Sequence, residues 1–320
     1  MPDYSALIKA IDAYIKKADD DLQEMLEDAG FIDPEGTVEE MSKLEILIAA
    51  TLKEETEYIL DSLKGAIDLE AYARDIWPGV KLNDDLAAKL QQTFLEEFTE
   101  LMPKLASQYN FQIDPELTIS TVTQRTTAWI KDWSEELGEI MQLNSHKELE
   151  TILETSLKEG RSVAETTQAI LDSGIRDEYY KAQRVAQTEM LRAHSVAQHE
   201  SFVQSPAVTE KMWRHTGSHM NNPRQNHVDM DGKRVPVDEP FELMGADGTK
   251  HRPMYPRDTN LPPGESINCH CIEQGIVSEE VLGLPLEERQ RLQQEAIDAD
   301  DGEWEKELDA RNRARSGFDD

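Results

Sequence analysis

Proline and glycine divide this chain at about residue 205. Eight of its 14 prolines (Pro206, Pro223, Pro236, Pro240, Pro253, Pro256, Pro262 and Pro263) fall in one short stretch, and six of its 16 glycines lie between 217 and 275. Proline offers no N–H and its ring clashes with the preceding turn, so no helical bundle carries that density of breakers. The residues before it have helical periodicity instead. The sequence predicts a mainly α protein: a helical N-terminal part, then a small loop-rich α+β module, then an acidic helical tail. The expected divisions are 1–110, 111–204, 205–277 and 278–320.

In the first part, Leu7, Ile8, Ile11, Ile15, Leu22, Met25 and Leu26 have helical spacing, and Gly30 is a stop signal. Thr37-Val-Glu-Glu40 reads as a capping box opening a helix with Met41, Leu44, Ile48, Leu52, Ile59 and Leu63 on one face, closed by Gly65. Leu86, Leu90, Phe94, Phe98 and Leu101 define the next helix, with a kink or break expected at Pro103. Further on, Trp129, Trp133, Leu137 and Ile140 form one stripe over 121–142, and a separate helix is expected over Leu149–Leu157, ending at Gly160. Ser162-Val-Ala-Glu165 is a second capping box, expected to open a short helix through Ile170. A long helix over Asp177–Ser201 carries a small-residue stripe of Ala186, Met190, Ala193 and Ala197, suited to close packing against Trp129 and Trp133. Glu189 and Arg192 are i,i+3 neighbours on it.

Short strands are expected at Lys211–His215, Arg234–Val237 and Cys271–Val277. Asp231-Gly232 reads as a turn, because the carboxylates of a calcium loop do not follow it. Polar helix resumes at Ser278. Residues after about 295 offer little apolar surface beyond Trp304 and Leu308, so they are expected to be mobile.

Charge limits the partners. Asp and Glu number 65 against 33 Lys and Arg, a formal net charge of -32. Such a surface repels phosphate, which disfavours broad DNA binding and favours protein partners. Residues 1–110 carry 25 acids and 10 bases, whereas 201–277 carry 10 and 8, which sets the module apart. No apolar run approaches the ~18–20 residues of a membrane span. Two cysteines make no disulfide scaffold and point to a reducing compartment, and Met1-Pro2-Asp3-Tyr4 does not read as the start of a secretory signal.

The module holds the candidate chemistry. In Cys269-His270-Cys271, residues i and i+2 of a strand face one side, so both sulfurs can share a metal. His227 is the best third zinc ligand. His215, His219, His251 or Asp229 could supply the fourth, and His215 is preferred because it follows Trp213 on the expected first strand. The alternative is two buried thiols acting as small hydrophobes. Five of the eight histidines lie here (His215, His219, His227, His251, His270), and Lys211, Arg214, Arg224 and Lys233 could serve a nuclease. No ordered catalytic motif is present, and no enzyme is expected.

One ordered set of segments resembles a known family. TVTQRTTAWIKDWSEELGEI (121–140) is followed by LKEGRSVAETTQAI and by KAQRVAQTEMLRAHSVAQ (181–198); then come Trp213, NNPRQNHVDMDGKRVPVDEPF, Pro262-Pro263 and Asn268-Cys269-His270-Cys271. This order resembles the phage Mu F-like minor head proteins over about 120–277. Gln187-Thr188-Glu189 stands where members have R-T-E. Arg224 and His227 stand where many have the two cysteines of C-x-x-C, and His270 replaces the arginine of N-C-R-C. His227, Cys269 and Cys271 remain as matched ligand candidates for zinc. The resemblance implies a structural minor head protein of a tailed phage or prophage, present in the host cytoplasm during assembly and then in the virion head. It implies action in head assembly near the portal and in DNA packaging or delivery. The implied partners are portal protein, major capsid or scaffolding protein, and genomic DNA, with no membrane. The competing classes are a nuclease or toxin-like enzyme in the histidine-rich module, and a DNA-binding protein ejected with the genome.

Overall fold

The computed structural model of the chain describes residues 18–216 and 223–299; over 174–179 it describes the helical backbone alone. The expectations for Leu7 to Ile15, His219, Trp304 and Leu308 lie outside the described residues. A helical segment over 18–29 ends at Gly30, whose φ of 81° suits glycine, and Phe31 N donates to Leu26 O (3.0 Å) to close the last turn. Four long helices follow: α1 (Pro34–Leu63), α2 (Leu86–Ile113), α3 (Gln124–Glu159) and α4 (Val163–Gln204). A three-stranded antiparallel sheet comes next, in the order β2 (Arg234–Pro236), β1 (Val208–Arg214), β5 (Ile272–Val277). A two-stranded ribbon pairs β3 (Leu243–Met244) with β4 (Lys250–His251), and α5 (Leu286–Asp298) closes the described chain. The mainly α class with a small α+β part is as the sequence predicts.

Several boundaries differ, for physical reasons. Helix α1 starts at Pro34, three residues before the predicted cap, so Thr37 is a buried helical residue. Proline at the first helical position has no N–H to leave unpaired and a φ already suited to the helix. Helix α2 runs through Pro103 without a break. Met102, Leu105, Ala106 and Tyr109 around it are buried, and their packing outweighs one lost hydrogen bond. The two helices expected over 121–157 are the single α3, and those expected over 162–201 are the single α4. The Ser162 capping box forms as predicted: Ser162 N donates to Glu165 Oε2 (2.7 Å) and Glu165 N donates to Ser162 Oγ (3.2 Å).

The chain forms two compact units, and α2, α3 and α4 each contribute residues to both. One consists of Glu35–Phe98 and Ile130–Met190. Its core joins Ile59, Leu63, Leu69, Tyr72, Trp77, Val80, Leu153 and Ile170. Trp133 and Leu137 are buried there, and Trp133 Nε1 donates to Glu189 Oε2 (2.7 Å). Ile140, assigned to the same stripe, is 39% exposed, and Trp129 is half-buried. Helices α2 and α3 approach closely at Gly138, where a Cβ would stand 2.5 Å from the carbonyl oxygen of Ala87. Backbone cannot rotate aside as a side chain does. Gly138→Ala is therefore expected to destabilise by about 1–3 kcal/mol through overpacking, despite alanine's better helix propensity, read as a lower denaturant midpoint.

This unit also buries a carboxylate. Glu55 occupies the stripe position between Leu52 and Ile59 on α1 and is buried. Ser145 Oγ donates to both its oxygens (2.6 and 2.7 Å), and His146 Nε2 lies 2.6 Å from Asp84 Oδ2 beside it. Burial pushes the Glu55 pKa up to about 7, with the Asp84 charge adding to the effect and Ser145 opposing it. Between pH 4.5 and 7 the folded chain thus keeps a proton that the unfolded chain has lost. Its contribution to stability therefore falls as pH rises through that window. Glu55→Gln should flatten this part of the stability–pH curve and gain about 1–3 kcal/mol at pH 8, measured by denaturant titration at several pH values.

Candidate metal centre

The second unit comprises residues 18–34, 99–129 and 191–299 as described. One core cluster within it gathers Trp213, Met230, Phe241, Leu243, Leu261, Cys269 and Cys271. Strand β1 supplies Trp213, fully buried, because alternate residues of a strand face one side. The Asp231-Gly232 turn folds back beneath it: Gly232 (φ 78°) donates its N–H to Trp213 O (2.9 Å), and Trp213 N donates to Lys233 O (2.9 Å). This turn brings the one-turn helix Gln225–Val228, and His227 on it, edge-on to the Trp213 ring at 5.7 Å. Pro262 and Pro263 start another single helical turn, Pro263–Ser266, from which the chain passes to Cys269.

His227, Cys269 and Cys271 meet there, all buried, with ligand atoms within 4.8 Å of one another. His227 Nδ1 lies 3.5 Å from Cys269 Sγ and 3.7 Å from Cys271 Sγ. His215, just after β1 and half-buried, places Nδ1 3.5 Å from Cys271 Sγ. Asp229 is turned outward and takes a bond from Gln225 (2.8 Å), while His251 sits in the β3–β4 ribbon opposite Leu243. Neither joins the cluster, and His270, between the two cysteines and before β5, is not part of the convergent triad.

Electrostatics favour a charged cluster. A hydrogen bond from Cys271 holds the Cys269 thiol well below its ordinary range, and His227 and Arg257 act in the same direction. Sharing with Cys269 and burial hold Cys271 up. Burial works against a charged His227, but Cys269 and Glu265 outweigh it and raise its pKa. Glu265 is buried beside the far ring nitrogen, with Oε2 2.9 Å from His227 Nε2. Asn226 Nδ2 (3.0 Å) and Ala246 N (3.1 Å) donate to that carboxylate.

Sequence reasoning missed the residue behind the cluster. Arg257 is 1% exposed and has φ 65°, in the left-handed region. Its Nη1 donates to both Cys269 O and Cys271 O (2.7 Å each), its Nε to Leu191 O (2.9 Å) and its Nη2 to Ser195 Oγ (2.5 Å). Arg192 Nε donates in return to Arg257 O (2.8 Å). Lys211 and Glu273 were missed as buried charges too. Lys211 Nζ donates to Met254 O (2.7 Å), and burial raises the Glu273 pKa to about 8. Strand alternation was the available signal, since Lys211 shares a face with Trp213 and Glu273 with Cys271. With Lys211 buried and Arg224 Nη2 donating to Ile267 O (2.6 Å), two of the four cations considered for a phosphate serve the fold.

Comparison with known proteins places the chain among the phage head proteins. Residues 131–273 match the family described as Phage Mu protein F like protein, and the chain belongs to that family. It is 35% identical over 304 residues to the Bacillus subtilis (strain 168) protein named Uncharacterized protein YqbB, covering 91% of this chain and 97% of that one. It is also 32% identical over 126 residues to NAD(+)--arginine ADP-ribosyltransferase EFV of Enterococcus faecalis (strain ATCC 700802 / V583), 38% of this chain but 24% of the transferase. No solved structure matches. No helix among the described residues is long and apolar enough to cross a membrane.

Replacing Arg257 by methionine keeps its bulk and leaves four acceptors without their donor. The expected loss is about 3–5 kcal/mol, read as a fall in thermal midpoint, with Arg257→Lys recovering only part because it lacks the fork.

Proposed function

We propose that this chain is a minor head protein that joins the procapsid of a tailed phage or prophage beside the portal and contacts portal protein there. The observation that carries the reading is the family match over residues 131–273, which spans most of α3, all of α4 and nearly all of the small module. The physical character agrees. Long helices give extended faces for protein contacts, and a net charge of -32 favours protein partners over bare DNA. Lateral contacts with major capsid or scaffolding protein, and passage of the genome past the chain during packaging or delivery, belong to the same reading.

An enzyme of the kind the Enterococcus relative is named for is the competing class. The segment shared with that relative makes up 24% of it, so its name does not transfer to this chain. Two assays separate the readings. Mass spectrometry of purified procapsids and mature heads should detect the chain in both, and immobilised portal protein should retain it. Absence from both particle types would refute the proposal. Incubation with NAD+ and an arginine-containing acceptor should leave the NAD+ unconsumed, whereas turnover would favour the enzyme.

A further inference from the structure

The thiol–imidazole cluster has the dimensions of a coordination shell. A tetrahedral site with metal–sulfur bonds of ~2.3 Å and metal–nitrogen bonds of ~2.0–2.1 Å has sulfur–nitrogen edges of about 3.5–3.6 Å. The His227–Cys269, His227–Cys271 and His215–Cys271 separations are 3.5, 3.7 and 3.5 Å. The two edges from His227 to the sulfurs are therefore already present within the His227, Cys269 and Cys271 triad, and His215 stands at a third such distance from Cys271 alone. Moreover, His227 turns its Nδ1 to both sulfurs while its Nε2 is engaged by Glu265. A metal-bound imidazole commonly donates its second nitrogen to a carboxylate, which fixes the ring and its tautomer. Glu265 is itself held by Asn226 and by Ala246 N.

Behind the sulfurs, the Arg257 guanidinium takes the carbonyls of both Cys269 and Cys271 on a single nitrogen. The two cysteines are thereby held in one orientation, with the guanidinium behind both of them. Two sulfurs and two imidazoles form a borderline-soft set that suits zinc, whereas calcium and magnesium require oxygen. Four protein ligands leave no open position, which is the mark of a structural rather than a catalytic ion.

We infer that the module carries one structural zinc ion, bound by His227, Cys269, Cys271 and His215, with Glu265 as the positioning residue for His227. His227, Cys269 and Cys271 form the tight triad, and His215 approaches through Cys271. The ion would tie the ends of a module with a small core, where such a staple counts most. This inference stands apart from the head-protein reading, because the cluster is the same whatever the chain assembles with.

The test uses the full-length chain purified without chelator. Elemental analysis should find close to one zinc per chain. Exchange for cobalt should give the strong visible bands of a tetrahedral centre together with thiolate-to-cobalt charge transfer. Cys269→Ser should abolish binding. Because that variant could also unfold the module, Glu265→Gln provides a milder probe. It should keep the stoichiometry but weaken zinc about 10–100-fold in competition with a chelator. His215→Ala should weaken zinc and alter the cobalt spectrum, and an unchanged spectrum would remove His215 from the ligand set. Among the described residues, Glu55, Asp84 and His146 form the other convergent group of metal-ligand types, so His146→Ala is the control and should leave zinc content unchanged. The inference is overturned if the purified chain holds no zinc while 223–277 is equally protected from hydrogen exchange with and without chelator. It is equally overturned if zinc survives Cys269→Ser but is lost with His146→Ala.

Discussion

The buried guanidinium of Arg257 organises the second unit. Four of its hydrogen bonds run to α4 and to the strand-entry segment 269–271, and the Phe31 ring lies 5.4 Å from its Cζ. A buried cation is costly unless its donors are satisfied, and backbone carbonyls satisfy this one without a carboxylate. The fork geometry of arginine makes the arrangement specific, since one planar group must meet acceptors from two elements at once. The orientation of the two cysteines follows from that requirement. So does the left-handed backbone at Arg257, which carries its carbonyl to Arg192.

Other buried polar groups follow the same logic. Glu200 accepts from Thr123 N (2.7 Å), Thr123 Oγ1 (2.8 Å), Thr126 Oγ1 and Gln204 Nε2 (2.7 Å). A carboxylate at the start of α3 meets the free N–H groups and the positive end of the helix dipole. Arg289 on α5 pairs with Asp114 (2.9 Å) and Glu116 (2.6 Å), fixing that helix to the segment after α2.

Much of the fold was legible because it depends on local pattern. The apolar stripe of α1, the Ser162–Glu165 cap, the Asp231-Gly232 turn and the three strands of the sheet are all written in residues near one another. What was not legible depends on distant partners. Pro103 reads as a breaker, yet buried neighbours carry α2 through it. Glu55 looks like a solvated acid until Ser145, 90 residues away, supplies its donor. Gly138 looks like an ordinary weak point until the Ala87 carbonyl lies against it. At the cluster, the spacing of Cys269 and Cys271 and the place of His227 in the family pattern pointed to convergence. Glu265 and Arg257, which aim these groups, have no spacing rule that marks them.

The pairing of β1 with β5 has a consequence for how such chains change over time. Val208 stands opposite Val277, and Ser278 N donates to Ala207 O (2.7 Å), so the chain enters and leaves the sheet at adjacent points. Everything between is a closed loop of structure hung on the end of α4. Parts of that loop away from the Arg257 contacts with α4 can lengthen or shorten without moving the point where the chain resumes toward α5. The geometry is that of a clasp, whose two ends stay together whatever length of chain is added between them.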